Sequence, residues 1–169
     1  MNRPMYIVTG ATGHIGNNVV RYLIDRNESV KVLVRKVDES IKDLPINFAV
    51  NTHFDEEFLE ESIHDGDIII HCAAFIDLMN RHKLETFRTN VLLTKRLLRI
   101  AQKKSCRFVY LSTVDVLPKP KQGLITIPAK LDNKSHKSYY KASKTIATNL
   151  VSNAKWAMKS GSLATPVKL

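Results

Sequence analysis

Cysteine is scarce in this chain: two residues, Cys72 and Cys106, among 169. Each sits in or beside an apolar run, which argues against a disulfide framework or a thiolate metal site and for buried, reduced thiols. No metal ligand set is expected. Apolar runs of bilayer-spanning length, about 20 residues, are missing. The N-terminus enters a strand-like run almost at once, without the apolar core of a secretory signal, so the expected location is cytoplasmic. Aromatic residues amount to 7%, and they are not interleaved with basic residues in the manner of single-strand nucleic-acid surfaces.

Acidic residues run short in one half only. Residues 1–80 hold seven Lys+Arg against thirteen Asp+Glu, whereas residues 81–169 hold nineteen against three. A basic half can attract nucleic acid or an anionic ligand. Here the cations are dispersed through helices and loops, which reads as a solvated face. The expected partners therefore include no nucleic acid and no membrane. The length and the 44% apolar content suit one domain with a real core.

Glycine is also sparse, with six residues, yet three of them crowd into Gly10-Ala11-Thr12-Gly13-His14-Ile15-Gly16. An apolar run, Met5–Thr9, precedes this stretch, and helically spaced Ile15, Val19, Val20, Leu23 and Ile24 follow it. A strand, a glycine-rich turn and a helix opening form the context for dinucleotide binding. The first glycine permits the turn, the second lets backbone N–H groups approach a pyrophosphate, and the third lets the helix pack close. The spacing is GxxGxxG rather than GxGxxG.

Further strands are expected at Val30–Val34, Ile46–Val50, Asp67–Ala74 and Arg107–Leu111, and helices at 55–63, 84–104 and 139–157. In the 84–104 helix, Phe87, Val91, Thr94, Leu98 and Ala101 form the apolar stripe. A Pro- and Lys-rich loop, 118–138, holds only a weak apolar stretch, 124–127. Alternating strands and helices predict an α/β fold, a doubly wound parallel sheet of about five strands. Residues 1–155 would form the dinucleotide-binding domain and 156–169 an irregular tail.

Four features fall at strand ends, where ligands gather in such sheets. Arg35-Lys36 ends the second strand, and basic residues there suit a 2′-phosphate, favouring NADP over NAD. Ala73-Ala74 allows close approach by a flat cofactor. Ser112-Thr113 places two hydroxyls after the fifth strand. Tyr140 and Lys144 share a helical face at i and i+4, where an ammonium close to a phenol would bring its pKa, ordinarily near ~10, toward the working range. Plainer readings exist for each: a polar loop, strand-end packing, a turn cap and a surface Tyr/Lys pair.

Together these stretches resemble the extended branch of the short-chain dehydrogenase/reductase superfamily, the NAD(P)-dependent epimerase/dehydratases. T-G-A-T-G-H-I-G (9–16) is similar to its cofactor turn and H-C-A-A (71–74) to its H-x-A-A strand end. T-N-V-L-L-T (89–94) resembles its N-V-x-G-T stretch, Y-L-S-T-V-D-V (110–116) its strand-five signature, and Y-Y-K-A-S-K (139–144) its Tyr/Lys helix. The nearest likeness is to the dihydroflavonol-reductase and 3β-hydroxysteroid-dehydrogenase group.

The resemblance implies an NADP(H)-dependent oxidoreductase acting on a small-molecule carbonyl or alcohol. Tyr140 would be the acid/base, tuned by Lys144, and Thr113 would bond the substrate oxygen. Gly10, Thr12, Gly13, His14, Ile15, Gly16, Arg35, Lys36, Ala73, Ala74, Asn90 and Lys144 would hold the cofactor. Two departures from the family pattern stand out. Asn51 or Thr52 occupies the place of an adenine-contacting Asp after strand three. The chain also stops after the Tyr/Lys helix, before a sixth strand and a substrate lobe, which implies a truncated reductase of impaired activity. A non-catalytic NAD(P)-binding sensor or docking module is the alternative, and an exposed sheet edge and the 84–104 helix leave a homodimer open.

Overall fold

The computed structural model describes residues 3–117, 123, 131 and 138–154, and the backbone of 167–168. Most of the 118–138 loop, including its apolar stretch 124–127, and nearly all of the 156–169 tail lie outside the described residues. All five expected strands form: β1 (Tyr6–Thr9), β2 (Val30–Val34), β3 (Asn47–Val50), β4 (Ile68–His71) and β5 (Arg107–Tyr110). They lie parallel in the order β3-β2-β1-β4-β5, and β6 (Val167–Lys168) adds two residues beyond β5, where the sequence suggested only an irregular tail. The backbone of β6 pairs with β5 at Val109 and Tyr110, covering ladder groups that an edge strand would leave unpaired.

The helices are α1 (His14–Asp25), α2 (Glu56–Ser62), α3 (Lys83–Phe87), α4 (Leu93–Lys103) and α5 (Tyr139–Ser152). The period-2 pattern of the strands divides the core between the two faces of the sheet. Ile7, Leu33 and Ile69 pack with Leu59, Leu97, Ile100 and Val151 on one face, and Val8, Val30, Val32 and Val34 with Val20, Leu23 and Ile41 on the other. Strand order reverses at β1, so the crevice between the carboxyl ends of β1 and β4 is where such a fold gathers ligands. Thr9 is in register with Leu33 on one side and His71 on the other.

Two expected apolar positions are corrected. Ile15 is 49% exposed at the opening of α1 instead of joining its buried stripe. Phe87 is 37% exposed, while Thr86 is fully buried. The cause is a π turn, Arg88–Leu92, joining α3 to α4, in which the Leu93 N–H bonds Arg88 O. One extra residue per turn rotates everything before it by about 100°. The residue in phase with Val91 is then five positions back, at Thr86, rather than four.

The basic α4 faces the acidic α2: Arg99 pairs with Glu56 at 3.2 Å and Lys103 with Glu60 at 2.5 Å. Lys104 reaches Glu60 O and Ile63 O. Part of the positive second half is thus answered by the negative first half. Among the described residues, no helix is long and apolar enough to cross a membrane.

The glycine turn is close-packed. A Cβ on Gly16 would lie 2.1 Å from Gly10 O, and one on Gly10, where φ is +75°, 2.6 Å from Ala73 N. At Gly13 the nearest atom would be 3.3 Å away. Gly16→Ala should therefore cost about 1–3 kcal/mol of unfolding free energy, and Gly13→Ala clearly less. Urea denaturation of the two variants side by side checks that order.

Candidate active site

The turn after β1 carries Gly10, Thr12, Gly13, His14, Ile15 and Gly16 to the crevice. Gly10 has the left-handed φ that a side chain would strain, and Gly13 N–H closes the turn on Gly10 O at 3.0 Å. Gly13 is also the N-cap of α1, so no side chain caps the helix, and the first turn holds no acidic residue. Uncapped N–H groups at the positive end of a 12-residue helix, beside a turn with no room for a Cβ at Gly10 or Gly16, suit an anionic group such as a pyrophosphate. The residues present therefore fit a dinucleotide.

Arg35 and Lys36 emerge exposed at the end of β2. Arg35 does not stand alone there, because its Nη1 lies 3.4 Å from Glu85 Oε1 on α3. Asn51, one of the two residues at the place of the family's Asp, turns its Oδ1 to the N–H groups of His53 and Phe54 at 2.8 and 2.9 Å. It caps its own turn. Ala73, half-buried, lies against Gly10 across the crevice, and Ala74 is exposed.

A buried chain of hydrogen bonds links this turn to α5. Thr94 Oγ1 donates to Asn90 O at 2.8 Å, so His71 Nε2 must carry the proton that bridges its 2.9 Å contact with Thr94. His71 Nδ1 is then the acceptor for Thr9 Oγ1 at 2.7 Å, and that oxygen accepts Ala73 N–H at 3.3 Å. This tautomer is assigned from the bonding pattern. Asn90 Oδ1 accepts Phe75 N–H at 2.7 Å, and its Nδ2 donates to Phe75 O at 3.0 Å and Ser143 Oγ at 2.9 Å. Ser143 donates onward to Tyr140 O at 2.7 Å. Asn90 lies in the π turn, buried.

Thr113, Tyr140 and Lys144 meet at the carboxyl end of β5. The Thr113 hydroxyl lies near the Tyr140 phenol, and its Oγ1 accepts Asp115 N–H at 3.3 Å. Lys144 is buried and donates to Leu111 O at 2.6 Å, with its Nζ 4.4 Å from the centroid of the Tyr110 ring. Ser112 ties the strand end to α5 through Thr148 at 2.7 Å.

One expectation is reversed in this arrangement. Burial, with the Asp115 charge adding to it, raises the Tyr140 pKa above its ordinary value, and the nearby Thr113 hydroxyl opposes the rise only in part. Lys144 turns to the Leu111 carbonyl. Burial lowers the Lys144 pKa to about 8, with Cys72 acting weakly the other way. Desolvation, rather than ion pairing, dominates both groups.

Sequence reasoning missed Thr9, His71 and Ser143 as site-building residues and took Thr94 for part of an apolar stripe. The signal lay in the H-C-A-A and Y-Y-K-A-S-K stretches, but only the fold shows whom those side chains meet. Cys106 is buried and Cys72 half-buried, and both thiols are free. No cluster of three metal-ligating side chains occurs among the described residues.

The sequence and the fold have known counterparts. A family model described as the NAD dependent epimerase/dehydratase family matches residues 6–164. The chain belongs to that family. A Synechocystis sp. protein named for dihydroflavonol 4-reductase is 34% identical over 112 residues, which cover 64% of this chain and 32% of that protein. A Mycobacterium tuberculosis protein named 3 beta-hydroxysteroid dehydrogenase/Delta 5-->4-isomerase is 32% identical over 128 residues, covering 66% and 32%. An Agrobacterium tumefaciens short-chain dehydrogenase/reductase superfamily structure with bound NAD superposes with a TM-score of 0.69 at 25% identity, covering 87% of this chain and 44% of that one. The Bordetella bronchiseptica enzyme WbmH, at 21% identity and a TM-score of 0.77, shares the fold. The chain thus spans about a third of the length of these curated relatives. Its fold is the Rossmann-like NAD-binding fold of the family.

Burial pushes the His71 pKa down to about 3, and the Lys144 charge adds to the fall. The unfolded chain, with histidine near about 6.5, binds this proton first on acidification, so stability falls between about pH 6.5 and pH 3. Holding His71 neutral should cost about 2 kcal/mol at pH 5 relative to pH 7. His71→Gln should be less stable at pH 7 and should flatten that part of the acid dependence. Chemical denaturation at pH 5, 6 and 7 reads both effects.

Proposed function

We propose that this chain binds NADP(H) and serves as the cofactor half of an oxidoreductase that interconverts a carbonyl and an alcohol on a small molecule. The observation carrying the proposal is the meeting of Thr113, Tyr140 and Lys144 at the β5 end, joined by hydrogen bonds to the glycine turn. The family membership and the NAD-bound Agrobacterium tumefaciens relative support the nucleotide. When bound, its nicotinamide gives or takes the hydride.

The side chains divide the remaining work. Tyr140 keeps its proton at neutral pH, because its pKa lies above the ordinary value. It is thus set to donate that proton to a substrate oxygen as a carbonyl is reduced. Thr113, near the phenol, would hydrogen-bond the same oxygen and stabilise charge developing there. Lys144 holds a cation against Leu111 O and can turn its remaining protons toward a ribose hydroxyl. Asn90 fixes the first turn of α5 through Ser143 and the Tyr140 carbonyl. At the adenosine end, Arg35 and Lys36 supply the charge for a 2′-phosphate, which is the reason for preferring NADP over NAD. The substrate, with no nucleic acid or membrane partner, would be met mainly by parts of the family fold beyond the third shared with the curated relatives.

Titration of the purified chain with NADPH and NADH, followed by nicotinamide fluorescence, should show tighter binding of NADPH. Binding of neither nucleotide overturns the proposal. In carbonyl-dependent NADPH oxidation, Tyr140→Phe should lower turnover about 10²–10⁴-fold and leave nucleotide affinity nearly unchanged. Lys144→Ala should lower both. Nucleotide binding without turnover in the wild type would favour a non-catalytic sensor.

A further inference from the structure

Arg35 leaves the carboxyl end of β2 and reaches across the crevice to α3, where its Nη1 lies 3.4 Å from Glu85 Oε1. Glu85 is held from its own helical segment as well, because Thr89 Oγ1 donates to the same oxygen at 3.3 Å. The guanidinium therefore comes to an anchored carboxylate. Both side chains are open to solvent, at 60% and 39% exposure. Their contact joins β2 to α3 at the carboxyl edge of the sheet, on which Gly10 and Ala73 also lie.

The geometry points to Glu85 as a specificity-determining residue that restrains the preference for a 2′-phosphorylated nucleotide by holding Arg35. The inference rests on the proposed assignment of Arg35 to the adenosine end of the cofactor. A 2′-phosphate carries up to two negative charges and needs the guanidinium that Glu85 now occupies. It would also sit close to the Glu85 carboxylate, and like charges in proximity oppose binding. A nucleotide with a free 2′-hydroxyl meets neither penalty. Glu85 thus acts on one ligand of the pair, which is what a difference in affinities requires. Exposed ion pairs are individually weak, so the restraint can be overcome and the site stays adjustable.

The test uses nucleotides that lack nicotinamide, so that it does not depend on hydride chemistry. Calorimetric Kd values for 2′,5′-ADP and 5′-ADP are compared at fixed ionic strength in wild type, Glu85→Gln, Arg35→Gln and the double variant. Thermal melts establish that each variant is folded. Glu85→Gln should tighten 2′,5′-ADP about 3–10-fold and leave 5′-ADP unchanged. Most of that gain should vanish in the Arg35→Gln background, because it runs through the released guanidinium. An equal change for both nucleotides, or none for either, overturns the inference. So does a gain that persists undiminished without Arg35. Failure of both nucleotides to bind the wild type removes the assignment of the adenosine end and this inference with it. Nucleotide binding with the expected Glu85 effect, but no carbonyl turnover, counts against the proposed activity alone.

Discussion

The neutral, fully buried imidazole of His71 is the constraint on which the two halves of the site depend. It stands at the end of β4 with a threonine hydroxyl on each nitrogen, one from β1 and one from α4. In a dry interior each of these polar groups would cost about 1–3 kcal/mol if left without its partner. The ring can satisfy both hydroxyls only in one tautomer and only while uncharged. Thr9, Thr94 and the Asn90 carbonyl are thereby tied into one arrangement, and Asn90 passes it on to Ser143 and α5. The glycine turn and the Tyr140/Lys144 helix are distant in sequence. They keep a fixed relation because this chain of bonds leaves no slack between them.

The π turn follows from the same requirement. A regular helix from Lys83 to Lys103 would bury Phe87 in phase with Val91. One extra residue in the turn instead buries Thr86 and leaves Phe87 in contact with water. The poorer hydrogen-bond geometry of such a turn is offset by three side-chain bonds at Asn90, two of them to the backbone of Phe75. Local helix geometry has yielded to a buried amide that must be satisfied.

Desolvation then sets the ionisation of the reactive groups. A Tyr/Lys pair at i and i+4 invites the expectation of an ammonium lowering a phenol's pKa. In the folded chain the lysine turns to the Leu111 carbonyl, and burial dominates both residues in opposite directions. The phenol stays protonated and the lysine becomes easier to discharge, the condition the proposed proton donation by Tyr140 requires. At the other end of the crevice, Arg35 is a charge already engaged, so a motif-level basic residue is not the same as a free one.

The order of strands and helices was legible because apolar runs of period two and helices of period 3.6 alternate with turn residues over residues 5–152. Gly10 and Gly16 were legible for a harder reason: backbone atoms lie where their Cβ atoms would be, and no other residue type satisfies that. The family motifs likewise mark positions whose chemistry is set by residue type, among them Thr113, Tyr140 and Lys144. The tertiary structure alone decided what depends on partners distant in sequence: the tautomer of His71, the inward turn of Asn90, the exposure of Ile15 and Phe87, the hold of Glu85 on Arg35, and the direction of each pKa. Those properties arise from the dielectric and the hydrogen-bond partners around a group, which spacing along the chain does not encode.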